Sequence, residues 1–211
     1  EDSRYYVYSN STSVTVNGAT VKNLETERAL NNVTLTYEVR KNDVLTSANV
    51  VFVADSPSAI DASVTNAMAG TLSLAPGSYT VYAEKGTDVF LGTLELSPFD
   101  DDTLTIDLTA GINLVGQFMA SGVGVDADAT IGDGDTSMPL ATDASGNFDI
   151  YLPSGYYDIQ ASAQRVERSV TVGYDADVGV SLNSNTNLEV TMVRADIRSA
   201  TMSHNGALQT V

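Results

Sequence analysis

The chain of 211 residues has a formal net charge of −17, with 10 Lys and Arg against 27 Asp and Glu. This balance excludes the broad basic surface that nucleic-acid binding requires. Hydrophobic residues make up 43% of the chain, which is enough for packed cores and too much for general disorder. No stretch approaches the roughly 18 consecutive apolar residues of a membrane-spanning helix. Because cysteine is absent, disulfides and thiolate metal sites are excluded.

Residues 1–31 have the composition of β-structure. Two β-rich runs flank Asn17-Gly18, a dipeptide that is a strong signal for a two-residue hairpin turn. The order Tyr-Tyr followed by Ser-Val-Thr-Val occurs here and again at residues 156–172. We therefore interpret residues 1–31 as a partial repeat or an N-terminal β segment. A chance resemblance between Ser/Thr-rich runs is the alternative.

Residues 32–110 carry the pattern of a small β-domain. Alternation over residues 33–39 predicts a strand, and Lys41-Asn42-Asp43 predicts a turn into a second strand at residues 48–53. Ser56-Pro57 permits one short helix that extends through Met68 and ends at Gly70, and a bulging loop fits the same residues equally well. A hairpin is predicted over residues 72–83, and further strands are predicted at residues 89–96 and 103–108.

Residues 142–161 give the clearest pattern in the chain. Phe148, Ile150 and Leu152 alternate with polar residues, which predicts a strand with one buried face. Pro153 and Gly155 predict a tight turn into a second strand at residues 156–161, so we expect a hairpin. The same device occurs at residues 71–83. The pairs Leu74/Leu152 and Tyr79/Tyr157 are each 78 positions apart, which predicts a repeat protein.

The pattern Thr-Asp-x-x-Gly-x-Phe-x-Ile-x-Leu-Pro-x-Gly-x-Tyr-x-Ile-x-Ala over residues 142–161 resembles carboxypeptidase regulatory-like domains. These are transthyretin-like, immunoglobulin-like β-sandwiches of bacterial and archaeal surface proteins. The first copy, residues 64–83, lacks the Asp-x-x-Gly part. Members of the family are mostly non-catalytic, so the resemblance implies a fold and a cell-surface setting without implying a reaction.

The second repeat, residues 111–194, has the same order as the first. We predict its strands at residues 112–118, 125–131, 147–152, 156–161, 168–172, 178–182 and 188–192. Residues 195–211 contain a further strand and a turn at His204-Asn205-Gly206, which we interpret as the opening or donor strand of another repeat.

The sequence therefore predicts an all-β fold of tandem immunoglobulin-like (transthyretin-like) sandwiches, with partial repeats at both ends. Two explanations of the partial repeats stay open. The chain is a slice of a longer array, or its C-terminal strand completes the N-terminal half-domain of the next subunit. We expect Tyr79 and Tyr157 to pack against their sandwiches and alternate tyrosines to face water. The predicted core consists of Leu35, Tyr37, Val39, Leu72, Leu74, Val81, Leu114, Phe118, Phe148, Ile150, Leu152 and Ile159.

No convincing active site is present, and we predict that the protein is not an enzyme. The one histidine, His204, lies in a predicted turn, so His-rich zinc sites and a Ser-His-Asp triad are not expected. The acidic residues permit calcium, which takes six to eight oxygen ligands. Its candidate ligands are Asp126, Asp128, Asp133 and Asp135, while Asp100–Asp102, Asp175 and Asp177 are expected in loops. A solvated acidic surface is the alternative reading, and no other cofactor is expected.

Two N-glycosylation sequons begin at Asn10 and Asn32, a number that chance also produces in a chain of this composition. They permit glycans if the protein is exported. Tyrosines 5, 6, 8, 156 and 157 offer a possible sugar-binding platform.

These patterns favour an extracellular structural protein, a subunit of a cell-surface layer or filament whose partners are copies of itself. An adhesin, or a carbohydrate- or calcium-binding sandwich of a larger secreted protein, is the alternative.

Overall fold

The computed structural model describes residues 32–55, 61–98 and 101–195. It also describes the backbone of four strand segments: β1 (Val7–Tyr8), β2 (Arg28–Ala29), β20 (Thr201–His204) and β21 (Ala207–Thr210). No α-helix occurs in this part of the chain, and β-strands account for nearly all of its regular structure. The predicted all-β class is therefore confirmed.

The first sandwich consists of two facing sheets. One sheet has the order β10–β3–β7, with β4 at the end of β3, and the other has the order β11–β9–β8–β5–β6. Strand β10 runs parallel to β3, whereas the other neighbours are antiparallel. The strands are β3 (Val33–Lys41), β4 (Val44–Leu45), β5 (Ala48–Ala54), β6 (Ala62–Ala67), β7 (Ala69–Leu74), β8 (Gly77–Lys85), β9 (Asp88–Leu96), β10 (Asp102–Asp107) and β11 (Thr109–Ala110).

The second sandwich has the same arrangement. One sheet is β16–β12–β19 with β13 at the end of β12, and the other is β15–β14–β17–β18, which meets β19 at Tyr174 and Asp175. Its strands are β12 (Ile112–Ala120), β13 (Val123–Gly124), β14 (Asp128–Gly132), β15 (Met138–Pro139), β16 (Asn147–Leu152), β17 (Gly155–Glu167), β18 (Val170–Leu182) and β19 (Thr186–Arg194).

Strand register is also the same in the two sandwiches. Leu74 lies opposite Val33 in the first, and Leu152 lies opposite Ile112 in the second. Likewise Leu104 is opposite Tyr37, and Leu188 is opposite Gly116. The sequence offset between equivalent positions is therefore 78 to 79 residues for the first strands of each sandwich and 84 residues for the closing strand, between Leu104 and Leu188.

Each sandwich encloses its own hydrophobic core. Of the twelve predicted core residues, all are buried except Leu72 and Ile150, which are half-buried and pack against the cores. The rings of Phe118 and Phe148 lie 5.1 Å apart in the second core. Burying one such side chain contributes about 1.5–3 kcal/mol, so these cores are the main source of stability.

The predicted hairpin at residues 147–161 is wrong in one respect, because its two strands do not pair with each other. Strand β16 pairs with β12, while β17 pairs with β14 and β18 in the facing sheet. The same holds for β7 and β8. The Pro-containing turn is thus an arch that carries the chain from one sheet to the other. A hairpin and an arch share the same alternation, since both bury every second residue.

A tyrosine closes each arch. Tyr79 Oη donates a hydrogen bond to Ala75 O at 2.8 Å, and Tyr157 Oη donates to Pro153 O at 2.9 Å. Both residues are buried, as predicted, whereas Tyr156 is 57% exposed. Burial raises the pKa of Tyr157 to about 12, so this hydroxyl stays protonated and able to donate. The arrangement matches the tyrosine corner of immunoglobulin-like sandwiches.

The Asp-x-x-Gly motif forms the turn that precedes β16. Asp143 Oδ1 accepts hydrogen bonds from the backbone amides of Ser145 and Asn147, both at 2.8 Å, and Oδ2 accepts from Asn147 Nδ2 at 2.8 Å. Gly146 has φ of +77°, a conformation that glycine adopts without strain. These bonds lower the pKa of Asp143, the bond from the Asn147 side chain most of all.

The short helix considered for residues 56–70 is not formed over the described residues 61–70, where strands β6 and β7 occur instead. Ala62, Val64 and Ala67 pack against the first core, and β6 pairs with β5 across a register shift. Tertiary pairing therefore overrides the local helix signal.

Residues 155–182 form one long hairpin rather than the shorter strands predicted. Arg168 and Ser169, with φ of 48° and 69°, form its turn. Asp175 and Asp177, which we expected in loops, lie within β18.

Segments β1 and β2 pair antiparallel, as do β20 and β21. The Asn17-Gly18 turn and most of the residues in the two predicted partial repeats lie outside the described part of the chain.

Replacing Tyr157 by Phe removes the arch hydrogen bond and leaves the Pro153 carbonyl without this donor. We expect the free energy of unfolding to fall by about 1 kcal/mol, measured by urea denaturation. The adjacent, exposed Tyr156→Phe is the matched control. Equal effects from the two variants would show that the arch bond is not a specific stabilising contact.

The lowered pKa of Asp143 predicts a pH-dependent stability. Because the folded state favours the carboxylate, its contribution is full above the ordinary pKa of 3.8 and is lost as the pH falls through the lower folded-state value. We expect Asp143→Asn to be less stable at pH 7 and to lose less stability than the wild type on acidification. Urea unfolding at pH 7 and pH 3 measures both effects. Asp177→Asn controls for the loss of one charge, and identical pH profiles for the two variants would contradict the assignment.

Candidate functional site

The most distinctive site in the described part of the chain is the junction between the two sandwiches. Val53, Tyr82 and Leu91 lie on neighbouring strands of the first sandwich, on the face that points away from its core. All three are partly buried because they pack against the core of the second sandwich. The outer face of the β5–β8–β9 sheet is therefore an internal docking surface.

Direct hydrogen bonds link the two sandwiches at this surface. Tyr82 Oη donates to Tyr151 O at 3.0 Å, and the Ser137 amide donates to Thr80 Oγ1 at 3.0 Å. Thr80 is fully buried although it faces away from its own core. Burial also raises the pKa of Tyr82, with a further contribution from the charge of Glu84, so the donating hydroxyl stays protonated.

The connection between the sandwiches is short and paired. Strand β11 pairs with β9, placing Thr109 opposite Val89, and the Gly111 amide then donates to Thr87 O at 2.8 Å. A Cβ at Gly111 would lie 2.8 Å from both Thr87 O and Val89 Cγ2, so only glycine fits there without a shift. The linker is thus fixed to the first sandwich by backbone hydrogen bonds up to the residue before β12.

Charge is distributed unevenly along each sandwich. We call the end with the Pro-containing turn (residues 75–77 and 153–155) the arch end, and the end with the β8–β9 or β17–β18 turn the hairpin end. In residues 32–55, 61–98 and 101–195, every lysine and arginine lies at a hairpin end: Arg40, Lys41, Lys85, Arg165, Arg168 and Arg194. Acidic side chains occur at both ends. Because the described cations all lie at hairpin ends, the charged side chains at the arch ends are all acidic.

The structure does not bring three or more of the four candidate calcium ligands together. Asp126 Oδ1 accepts from Thr142 Oγ1 at 2.7 Å, and Asp128 is exposed on β14. Asp133 Oδ1 accepts from the Thr136 amide and hydroxyl at 2.9 and 2.8 Å, and also from the Asp135 amide at 3.3 Å. No group of three or more Asp, Glu or His residues within the described ranges is positioned to hold a metal ion. Calcium binding stays a prediction without geometric support.

The other predicted sites are only partly within the described residues. Asn32 is exposed at the start of the first sandwich, as a glycan acceptor must be. The side chains of Asn10, His204 and tyrosines 5, 6 and 8 lie outside the described part. Since Tyr157 is buried in its arch, only Tyr156 of the described tyrosine pair remains for a sugar-binding platform.

The junction residues were not predicted from the sequence. A signal for them exists in residues 50–53, Val-Val-Phe-Val, where both faces of a strand are apolar. One apolar face belongs to the core, and a second apolar face indicates another packing partner.

Comparisons with known proteins found similar solved structures at low sequence identity. No protein-family model matches it, and no curated protein matches it significantly. The major pilin subunit BcpA of Bacillus cereus is similar at 10% identity, with 78% of this chain and 70% of that chain covered and a TM-score of 0.34. The shaft pilin SpaA of Lactobacillus rhamnosus GG is similar at 9% identity over 78% and 98% of the two chains, with a TM-score of 0.29.

A leucine-rich repeat protein of Bacteroides thetaiotaomicron is similar at 12% identity, covering 76% of this chain and 26% of that one, with a TM-score of 0.31. The chain thus spans about a quarter of that protein's length. TM-scores this low carry no argument about function. The sheets themselves define the class, an all-β protein of immunoglobulin-like sandwiches, while membership of the carboxypeptidase regulatory-like family stays a prediction.

No helix in the described ranges is long and apolar enough to cross a membrane.

Replacing Tyr82 by Ala tests the junction. This change removes both the packing against the second core and the hydrogen bond to Tyr151, so we expect the two sandwiches to unfold less cooperatively. Scanning calorimetry should then resolve two transitions, or one that is broader than in the wild type. Tyr156→Ala, at an exposed tyrosine, is the matched control. An unchanged transition in the Tyr82 variant would show that the junction does not couple the sandwiches.

Proposed function

We propose that the protein is a non-catalytic extracellular structural module, a subunit of a cell-surface layer or filament in which modules and copies of the chain are arranged in series. We assign the modules to residues 32–110 and 111–194, with further partial repeats at residues 1–31 and 195–211. The observation that carries this proposal is the junction. A desolvated, hydrogen-bonded contact that fixes one sandwich on the next is what a rigid array of domains requires, since domains without such an interface move relative to each other.

The described strand segments near the ends supply a route between copies. Strand β20 pairs with β21, and neither pairs with any described strand of the two sandwiches. We propose that residues 195–211 pair with the sheet edge of a neighbouring copy, since an open edge offers unpaired backbone groups to an added strand. A head-to-tail contact of this kind does not close on itself and generates a fibre.

The net charge of −17 suits this role, because an acidic surface keeps free subunits soluble through mutual repulsion. Assembly then depends on a specific contact that overcomes the repulsion. The tyrosine-closed arches and the exposed Asn32 sequon are compatible with a protein that works outside the cell.

Deletion of residues 195–211 tests the strand-pairing proposal. We expect the shortened chain to keep its β-sheet circular dichroism and its cooperative unfolding but to lose self-assembly in sedimentation velocity and electron microscopy. Replacing the same residues with a Gly/Ser-rich segment of equal length controls for chain length. Polymers that persist after the deletion would reject strand donation. Saturable binding of a sugar or of Ca²⁺ in calorimetric titration, with no assembly, would favour the adhesin instead.

A further inference from the structure

The second sandwich carries an extension that the first one lacks. By strand register Lys85 corresponds to Ala163, and Asp88 corresponds to Tyr174. The first hairpin connects these positions through Gly86-Thr87 alone. The second uses residues 164–173, which continue both strands beyond the sandwich. We call residues 164–173 the hairpin arm.

The arm is held in place but leaves one edge open. Tyr174 Oη donates to Glu167 Oε1, and Arg165 Nη1 donates to Ala120 O at 2.9 Å, so the base of the arm is fixed to the sandwich. Strand β14 pairs with β17 only as far as Ser162. Beyond this point, no described strand covers the other edge of β17.

The arm exposes apolar side chains on both of its faces, Val166 on one and Val170 on the other, and arginines lie near them. Val166 and Val170 are 69% and 62% exposed, and Val193 on β19 is 56% exposed. Arg168 is exposed at the turn, and Arg165 and Arg194 lie beside Glu167. Exposed apolar side chains rimmed by charge are typical of an interaction site. In a chain with so few cations, three arginines at one end also define the charge of the partner.

The first sandwich presents a surface of matching charge at its arch end. The Asp55 amide donates to Ser78 O at 3.0 Å, and Ser78 lies opposite Glu95 on its other side. Asp55 and Glu95 therefore flank the start of β8. Asp61 binds the Ala54 amide at the same end. Asp101 and Asp102 lie at the same end of the facing sheet, where Asp101 accepts from the Thr34 amide. None of the described residues at this end is a lysine or arginine.

We propose that the hairpin arm of one copy binds the acidic arch end of the first sandwich of a second copy. This inference rests on the proposed function and adds a second contact between copies, beside the pairing of residues 195–211 with a sheet edge. Arg165, Arg168 and Arg194 face the acidic residues, and Val170, which register places on the same face of the arm as Arg165, lies within the contact together with the open edge of β17. Opposite charges favour this orientation, because the acidic arch end repels the acidic surfaces of other copies and attracts the arginines of the arm.

The position of the junction supports this polarity. Within one chain, the second sandwich contacts the first through residues at or near its own arch end, Ser137 and Tyr151. The contact between copies that we propose uses the arch end of the first sandwich, since the arch end of the second sandwich is at the junction.

Engineered cysteines test the contact in the full-length chain. Since the natural chain has no cysteine, disulfides form only between the introduced residues Ser169→Cys and Glu95→Cys, and the two single variants show how much of the product is 169–169 or 95–95. We expect a ladder of dimers and longer species after oxidation on a non-reducing gel. Ser169→Cys combined with Asp158→Cys, at an exposed acidic position of the second sandwich, is the control and should give no ladder.

Charge reversal gives a second readout. We expect Arg168→Glu and Glu95→Lys each to weaken self-association about tenfold in sedimentation velocity, because each turns an attraction into a repulsion. Mixing the two variants, or combining both changes in one chain, should restore part of the loss. Lys85→Glu makes the same change of charge at the hairpin end of the first sandwich and should have little effect. Salt should weaken the wild-type association, since exposed charges are screened.

The outcomes separate this inference from the proposed function. Assembly without the 169–95 disulfide ladder, and without an effect of Arg168→Glu, would overturn the inference and leave the structural role in place. A disulfide found only within monomers would show that the chain's own arch end occupies the arm, which also overturns it. A chain that stays monomeric at every concentration would contradict both proposals.

Discussion

The structure depends on how the chain crosses between two sheets without leaving buried polar groups unpaired. At each arch, the hydroxyl of a buried tyrosine donates a hydrogen bond to the backbone carbonyl four residues earlier, Tyr79 to Ala75 and Tyr157 to Pro153. The ring fills the core while the hydroxyl satisfies an acceptor that the turn would otherwise leave unpaired. This bond ties the start of β8 and of β17 to the arch that follows β7 and β16.

The same order of strands then determines what is left at the surface. In each sandwich the closing strand runs parallel to the opening strand, and the chain leaves at the hairpin end beside β9 or β18. In the first sandwich this exit leads directly into the junction at Gly111. The outer face of the β5–β8–β9 sheet is apolar where the second sandwich covers it, at Val53, Tyr82 and Leu91. In the first sandwich Leu91 lies opposite Tyr82 on this outer face. The equivalent positions in the second sandwich are Asp177 and Gln160, which also lie opposite each other, so the outer face of the second sandwich is polar there.

Much of this fold follows from the sequence. Alternation in residues such as Phe148 and Leu152 predicted buried faces correctly, and the offset between Tyr79 and Tyr157 identified equivalent positions. The sheet to which each strand belongs could not be predicted in this way, because an arch and a hairpin have the same alternation. Strand β6 was ambiguous because its polar, small residues acquire their conformation only by pairing with β5. The junction was not predicted because Tyr82 alternates with the core residues Val81 and Ala83, a pattern that indicates a solvent-facing side chain. Its partner, the Tyr151 carbonyl, is known only from the structure.

The proposed site differs from a catalytic one in the kind of information that it uses. It consists of edges, apolar side chains and the position of a few cations in an acidic chain, rather than of converging reactive groups. Such features depend on the placement of whole strands, so they emerge only when the topology is known.

The central claim is that this chain is a building block that joins to copies of itself in series. Electron microscopy of the purified full-length chain, over a series of increasing concentrations, tests this claim most directly. We predict filaments or lattices with one repeating unit that contains the two sandwiches. Isolated particles of a single chain at every concentration would contradict it.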